Sequence, residues 1–188
     1  LWKQVEIYRT KDLPVSAVKE INVIYKRAEK ENNFSQMLKA AFIRMSLQNQ
    51  ISPDSFTVDI RQIESWIGHI DNTSDLAILH AFLGAAYLEK TKNMDFRNVD
   101  TVTLWRQLAL KYFRESLNNK EVLASESVDL YCPLIDKRKD GSIYGHDLLS
   151  VLTAFAGNNL KTLEIVSASQ IVNLYADLAL FYEQKGNK

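Results

Sequence analysis

The strongest constraint on what this chain can fold into is the spacing of apolar residues from Pro14 to Met45, PVSAVKEINVIYKRAEKENNFSQMLKAAFIRM. Ala17, Val18, Ile21, Ile24, Tyr25 and Ala28 recur every three or four positions, while Lys19, Glu20, Lys26, Arg27 and Lys30 fill the other side. That is the period of a helix with one buried face. Asn32 and Asn33 tolerate left-handed geometry and interrupt the pattern, which restarts with Phe34, Met37, Leu38, Ala41, Phe42 and Met45. Two helices joined by so short a link have to run antiparallel. Pro14 suits the first turn, where a proline gives up no intrahelical hydrogen bond.

The helical period continues along the chain. Trp2, Val5 and Tyr8 predict a short helix before the hairpin. Ser52, Pro53 and Asp54 mark the next start, followed by the stripe Phe56, Ile60, Ile63, Trp66, Ile67 and Ile70. The cluster Asp71 to Asp75 offers a cap, with Ser74 as the candidate, for a helix carrying Leu76, Leu79, His80, Leu83 and Tyr87. Asp100 or Thr101 is expected to cap a helix through Leu104, Trp105, Leu108, Tyr112 and Phe113 that ends near Asn118 and Asn119. A short helix over Lys120 to Ser125 follows, and Pro133 limits helix in Val128 to Ile135. The segment 137–142, KRKDGS, reads as a solvated turn. A helix is predicted from His146 to Ala156, stopped by Gly157, Asn158 and Asn159. The last helix, about Ala168 to Gln184, is apolar on more than one stripe, so it wants partners on more than one side.

These segments predict an all-α fold, an irregular antiparallel stack of about seven to eight helices. Within it, Leu83-Gly84-Ala85-Ala86-Tyr87 resembles the core of a tetratricopeptide first helix, in which the glycine lets a partner helix approach closely. His80 stands where that consensus has an aromatic residue, and the loop from Lys90 to Val99 is longer than a repeat turn. Tetratricopeptide-like hairpins without a fixed period are therefore expected. At 188 residues, one domain burying about 70% of the unfolded surface is the expectation for residues 1–188. The longest nearly apolar run, Ala77 to Leu88, is too short to cross a bilayer. No charged-then-apolar leader opens the chain, so any signal peptide is expected to have been removed.

No residue pattern points to catalysis. The 23 basic and 23 acidic side chains balance, which removes the electrostatic case for nucleic acid. Residues 1–50 carry 9 basic and 5 acidic side chains and residues 51–100 carry 4 and 8, but exposed pairs between such segments contribute little. Cys132 beside Tyr131, Pro133, Leu134 and Ile135 reads as a small buried hydrophobe. His69, His80 and His146 lack a second ligand at metal-site spacing and read as structural. Asp147 follows His146, yet neighbours on a helix point about 100° apart, so Asp147 reads as an N-terminal acid favoured by the helix dipole. The six glycines build no phosphate cradle. No catalytic, cofactor-binding or metal residue is assigned, and no cofactor is expected.

Several short motifs carry a family resemblance: Trp2-x-x-Val5, Leu13-Pro-x-Ser-Ala17, Tyr25-Lys-Arg-Ala28, Ala77-Ile-Leu-His80, Trp105, Glu115-Ser-Leu-Asn-Asn119 and Tyr144-Gly-His-Asp-Leu-Leu149. Together they resemble the N-terminal helical region of alpha-2-macroglobulin-like proteins of Bacteroidetes, where a helical segment precedes macroglobulin β-sandwich domains. The resemblance implies a larger, exported, periplasmic or outer-membrane-associated parent that traps proteases through a bait region. Many members add a thioester of Cys-x-x-Gln type; Cys132 lacks the glutamine. The expected role is a non-catalytic helical scaffold or interaction module that meets following domains of its parent or a protein partner. The alternative is a ligand-binding helical domain with an aromatic groove for peptide or glycan.

Overall fold

The computed structural model describes residues 1–92, 99–131, 134–135, 147–163 and 165–186. The fold is all-α. Nine α-helices and several 3₁₀ turns are found among the described residues, with no strand beyond an isolated bridge between Ser127 and Asp147. Their Cα positions gather into two compact units. The first holds residues 1–70 with part of the 130–135 stretch, and the second holds 71–129 and the described residues from 147 onward.

The first unit is built on the predicted hairpin. Helix α1 (Trp2–Thr10) leads through a left-handed Asp12, φ 53°, into α2 (Pro14–Lys30). Asn32 takes the left-handed turn at φ 50°, and the Asn33 side chain accepts a 3.1 Å hydrogen bond from the Gln36 backbone N–H, capping α3 (Phe34–Ile51). Helix α3 runs past Met45 and buries two sides instead of one stripe. Ala40 and Leu47 join Val5, Ala17, Ile21 and Ile24 in the core between α1 and α2, whereas Leu38, Ala41 and Met45 are buried on other positions of α3. Ser35 donates a hydrogen bond to the Leu130 carbonyl, 3.1 Å away.

The third predicted helix is in fact three pieces. A 3₁₀ turn, Pro53–Ser55, precedes α4 (Phe56–Glu64), and the chain then tightens into a second 3₁₀ segment over Ser65–His69. The Ser65 hydroxyl donates to the Gln62 carbonyl at 2.7 Å, a local bond that competes with continued α-helix. Ile70 is extended and lies outside the helix.

In the second unit α5 (Thr73–Thr91) packs against α6 (Val99–Glu115), α7 (Lys120–Ser125) and α8 (Leu148–Leu160). It is buried around much of its circumference, from Ala77 to Leu88. The cap is Asn72, not Ser74: the Asn72 side-chain oxygen accepts from the Asp75 N–H at 2.9 Å, and Ser74 is buried in the first turn. Asp100 and Thr101 lie inside the first turn of α6, which begins at Val99. Left-handed Asn119, φ 61°, turns the chain into α7, at the bounds its sequence predicts.

Helix α8 starts two residues later than predicted, with Asp147 as its cap, and does not stop at Gly157-Asn158-Asn159. Packing accounts for the extension: Gly157 is buried with the hydroxyl end of Tyr175 in the space a Cβ would take, and the Asn159 amide donates to the Phe155 carbonyl at 2.8 Å. The last helix, α9 (Ala168–Gly186), returns antiparallel along α8, with Tyr182 beside Ser150 and Tyr175 over Gly157.

Candidate functional site

Two side-chain clusters in the second unit have enough polar character to be weighed as sites. The first lies where α5 meets α6. Gly84 is the close-approach point, since a Cβ built there would stand 3.1 Å from both the Ala109 carbonyl oxygen and the Phe113 ring. One turn earlier on the same face of α5, His80 Nε2 is 3.7 Å from a carboxylate oxygen of Glu115. Its ring lies against Tyr112, centroid to centroid 5.7 Å, and Tyr112 stacks on Tyr87 at 5.9 Å. His80 thus sits among aromatic rings, much as an aromatic residue would. Burial lowers the His80 pKa below its ordinary value, opposed by the Glu115 charge and assisted by Lys111. Glu115 also faces Lys111 at 3.7 Å. An imidazole favoured in its neutral form by burial, edged by one carboxylate and lying against the Tyr112 ring, reads as a packed histidine.

The second cluster joins α8 to α9. Asp147 Oδ1 accepts from the Ser150 backbone N–H at 2.9 Å and from the Tyr182 hydroxyl at 2.5 Å, while Oδ2 accepts from the Ser150 hydroxyl at 3.0 Å. Ser150 Oγ and Tyr182 Oη are themselves 3.1 Å apart. Burial, reinforced by the bond to Asp147, pushes the Tyr182 pKa up to about 12. Superficially this is a serine beside an acid. A carboxylate is too weak a base to activate the serine unaided, and both of its oxygens are engaged by donors. What these bonds do is tie the start of α8 to α9. The position of Asp147 at a helix start was legible from sequence, but no signal tied it to a tyrosine 35 residues later.

Of the remaining sequence candidates, only His69 lies among the described residues. His69 is exposed, with Nδ1 2.9 Å from the Ser65 carbonyl oxygen. Cys132, His146 and the 137–142 turn lie outside the described residues. Among the described residues no group of three or more His, Cys, Asp or Glu could hold a metal ion, and no helix is long and apolar enough to cross a membrane.

Among the described residues of the first unit, surface hollows of about 410 Å³ and 320 Å³ are found. The larger is bordered by Glu6, Arg9, Asp12 and Gln50 and has no aromatic wall. The smaller has one aromatic, Trp2, whose indole N–H donates to Gln36 at 2.8 Å while the Lys39 ammonium stands 4.7 Å over its ring. No protein-family model, curated protein or solved structure matches the chain.

Proposed function

We propose that this chain is a non-catalytic helical scaffold or interaction module, whose surface is completed by following domains of its own parent chain or by a protein partner. The observation that carries the reading is α9. None of its residues is buried, although it is rich in apolar side chains, and Val172 and Leu180 are 64% and 52% exposed. Val172, Ala176 and Leu180 follow one another at four-residue intervals and so share a face of the helix. The half-buried side chains Ile171, Leu174, Tyr175, Leu178, Phe181 and Tyr182 occupy the other positions. A second apolar face exposed to water is the usual mark of a surface that meets another protein.

The finer reading, that the parent is an exported alpha-2-macroglobulin-like protein of the cell envelope with protease-trapping activity, rests on the motif resemblance alone. The tetratricopeptide-like character of the α5–α6 hairpin rests on Leu83 to Tyr87 and on the tight space at Gly84.

The test is hydrogen exchange on this chain alone and within its natural parent polypeptide. Amides of α9 should gain at least about tenfold protection in the longer protein, and Val172→Asp with Leu180→Asp should abolish that gain. Equal exchange in the two contexts would refute completion by the parent's own domains and leave a separate protein partner as the form to test.

A further inference from the structure

The contacts between α8 and α9 are unlike those elsewhere in the second unit. Helix α8 buries ten of its thirteen residues, while α9 buries none of its nineteen. Among the described residues the extensive packing of α9 is with α8, whereas α8 is also held by α5 and α7. Two tyrosines fix the register. Tyr175 and Tyr182 are seven residues apart on α9, and the positions they meet, Gly157 and Ser150, are seven apart on α8. Seven residues is close to two turns, so both anchors lie on one face of each helix. Between them on α8 stand the small residues Thr153 and Ala154.

The polar anchor is one-sided in what it supports. If Tyr182 leaves, Asp147 still caps α8 through the Ser150 N–H and hydroxyl, and the bond from the Leu148 N–H to the Glu126 carbonyl, 2.9 Å, still ties that end of α8 to the chain after α7. Nothing in the α8 cap or in its packing on α5 and α7 needs α9. Among the described residues helix α9 has no other extensive seat.

We propose that α9 is a detachable strap, leaving and regaining its seat on α8 as a cooperative unit while α5 to α8 stay folded. Most of the stability of a helix within a protein comes from packing of its apolar face, so leaving the seat means losing helix, and the event is visible in amide exchange.

The experiment is hydrogen exchange with mass-spectrometric readout on the full chain at neutral pH. Amides in α9 are expected to exchange about a hundredfold faster than those of α8, yet well below unstructured rates. Tyr182→Phe deletes the donor to Asp147 and should speed α9 exchange about tenfold with α8 unchanged. Gly157→Ala, which places a methyl where the hydroxyl end of Tyr175 lies, tests the other anchor and should do the same. Protection of α9 equal to that of α8 overturns the proposal. So does a rise in α8 exchange in step with α9 in both variants, because the hairpin would then open as one. Exchange of α9 at unstructured rates in the unmodified chain also overturns it.

Discussion

Replacing Gly84 by alanine sets two effects of known sign against each other. A glycine inside an exposed helix is less favourable than alanine by about 1 kcal/mol, so the substitution would stabilise α5 if its surroundings were open. They are not: the added methyl would stand 3.1 Å from the Ala109 carbonyl oxygen and 3.1 Å from two carbons of the Phe113 ring. Comfortable carbon contacts begin near 3.5 Å. Phe113 is fully buried and meets the Phe155 ring at 6.2 Å, and Ala109 presents backbone, so neither neighbour yields easily. Overpacking of this kind costs about 1–3 kcal/mol. With the propensity gain subtracted, Gly84→Ala should destabilise the second unit by about 1 kcal/mol, a shift of about 2–4 °C in melting temperature for a chain of this length. Urea unfolding followed by Trp105 fluorescence, with Trp2 and Trp66 replaced by phenylalanine in both reference and variant, reads the second unit. In a Phe113→Leu background the ring contact is gone, and the penalty should shrink by about 1 kcal/mol as a coupling between neighbours. Gly68→Ala in the first unit, where no atom lies within 4 Å of the added carbon, supplies a control without a clash when Trp66 is kept as the fluorophore. Stabilisation by Gly84→Ala in both backgrounds would refute a close α5–α6 approach.

Asn72→Ala should cost about 1 kcal/mol, because the Asp75 N–H loses its cap, while Asn72→Asp should be close to neutral; thermal melts distinguish the two. The His80 pKa is lowered in the folded chain, so folding favours its neutral form. The stability this contributes is present above the ordinary histidine pKa of about 6.5 and is lost as the pH falls from there through the folded value. Urea midpoints taken from pH 8 down to pH 5 should decline below about pH 6.5, and an NMR titration of His80 should give a pKa below the ordinary histidine value of about 6.5. Ser55 Oγ is buried without a hydrogen-bond partner and caps nothing, so Ser55→Ala should stabilise the first unit by about 1 kcal/mol. A lower urea midpoint for that variant would mean that the hydroxyl has a partner.

The sequence by itself determined the all-α class, the α2–α3 hairpin with its asparagine turn, and the bounds of α7. These follow from interactions within a few residues: apolar period, turn residues and caps. Tertiary structure decided what depends on which helix lies opposite. It made α3 bury two sides, because α1 and α2 cover a face that the apolar stripe does not mark. It carried α8 through Gly157-Asn158-Asn159, because contacts around that segment outweigh its weak helix propensity. It selected Asn72 over Ser74 as a cap, since both side chains were suitable and only the path of the backbone separates them. The candidate site was the least legible of all. Asp147, Ser150 and Tyr182 meet only because α9 folds back along α8, and no local pattern encodes a contact across 32 to 35 residues. The apolar surplus of the last helix could be read directly. That this surplus remains exposed, and that the helix is held by two tyrosines, emerged only from its packing.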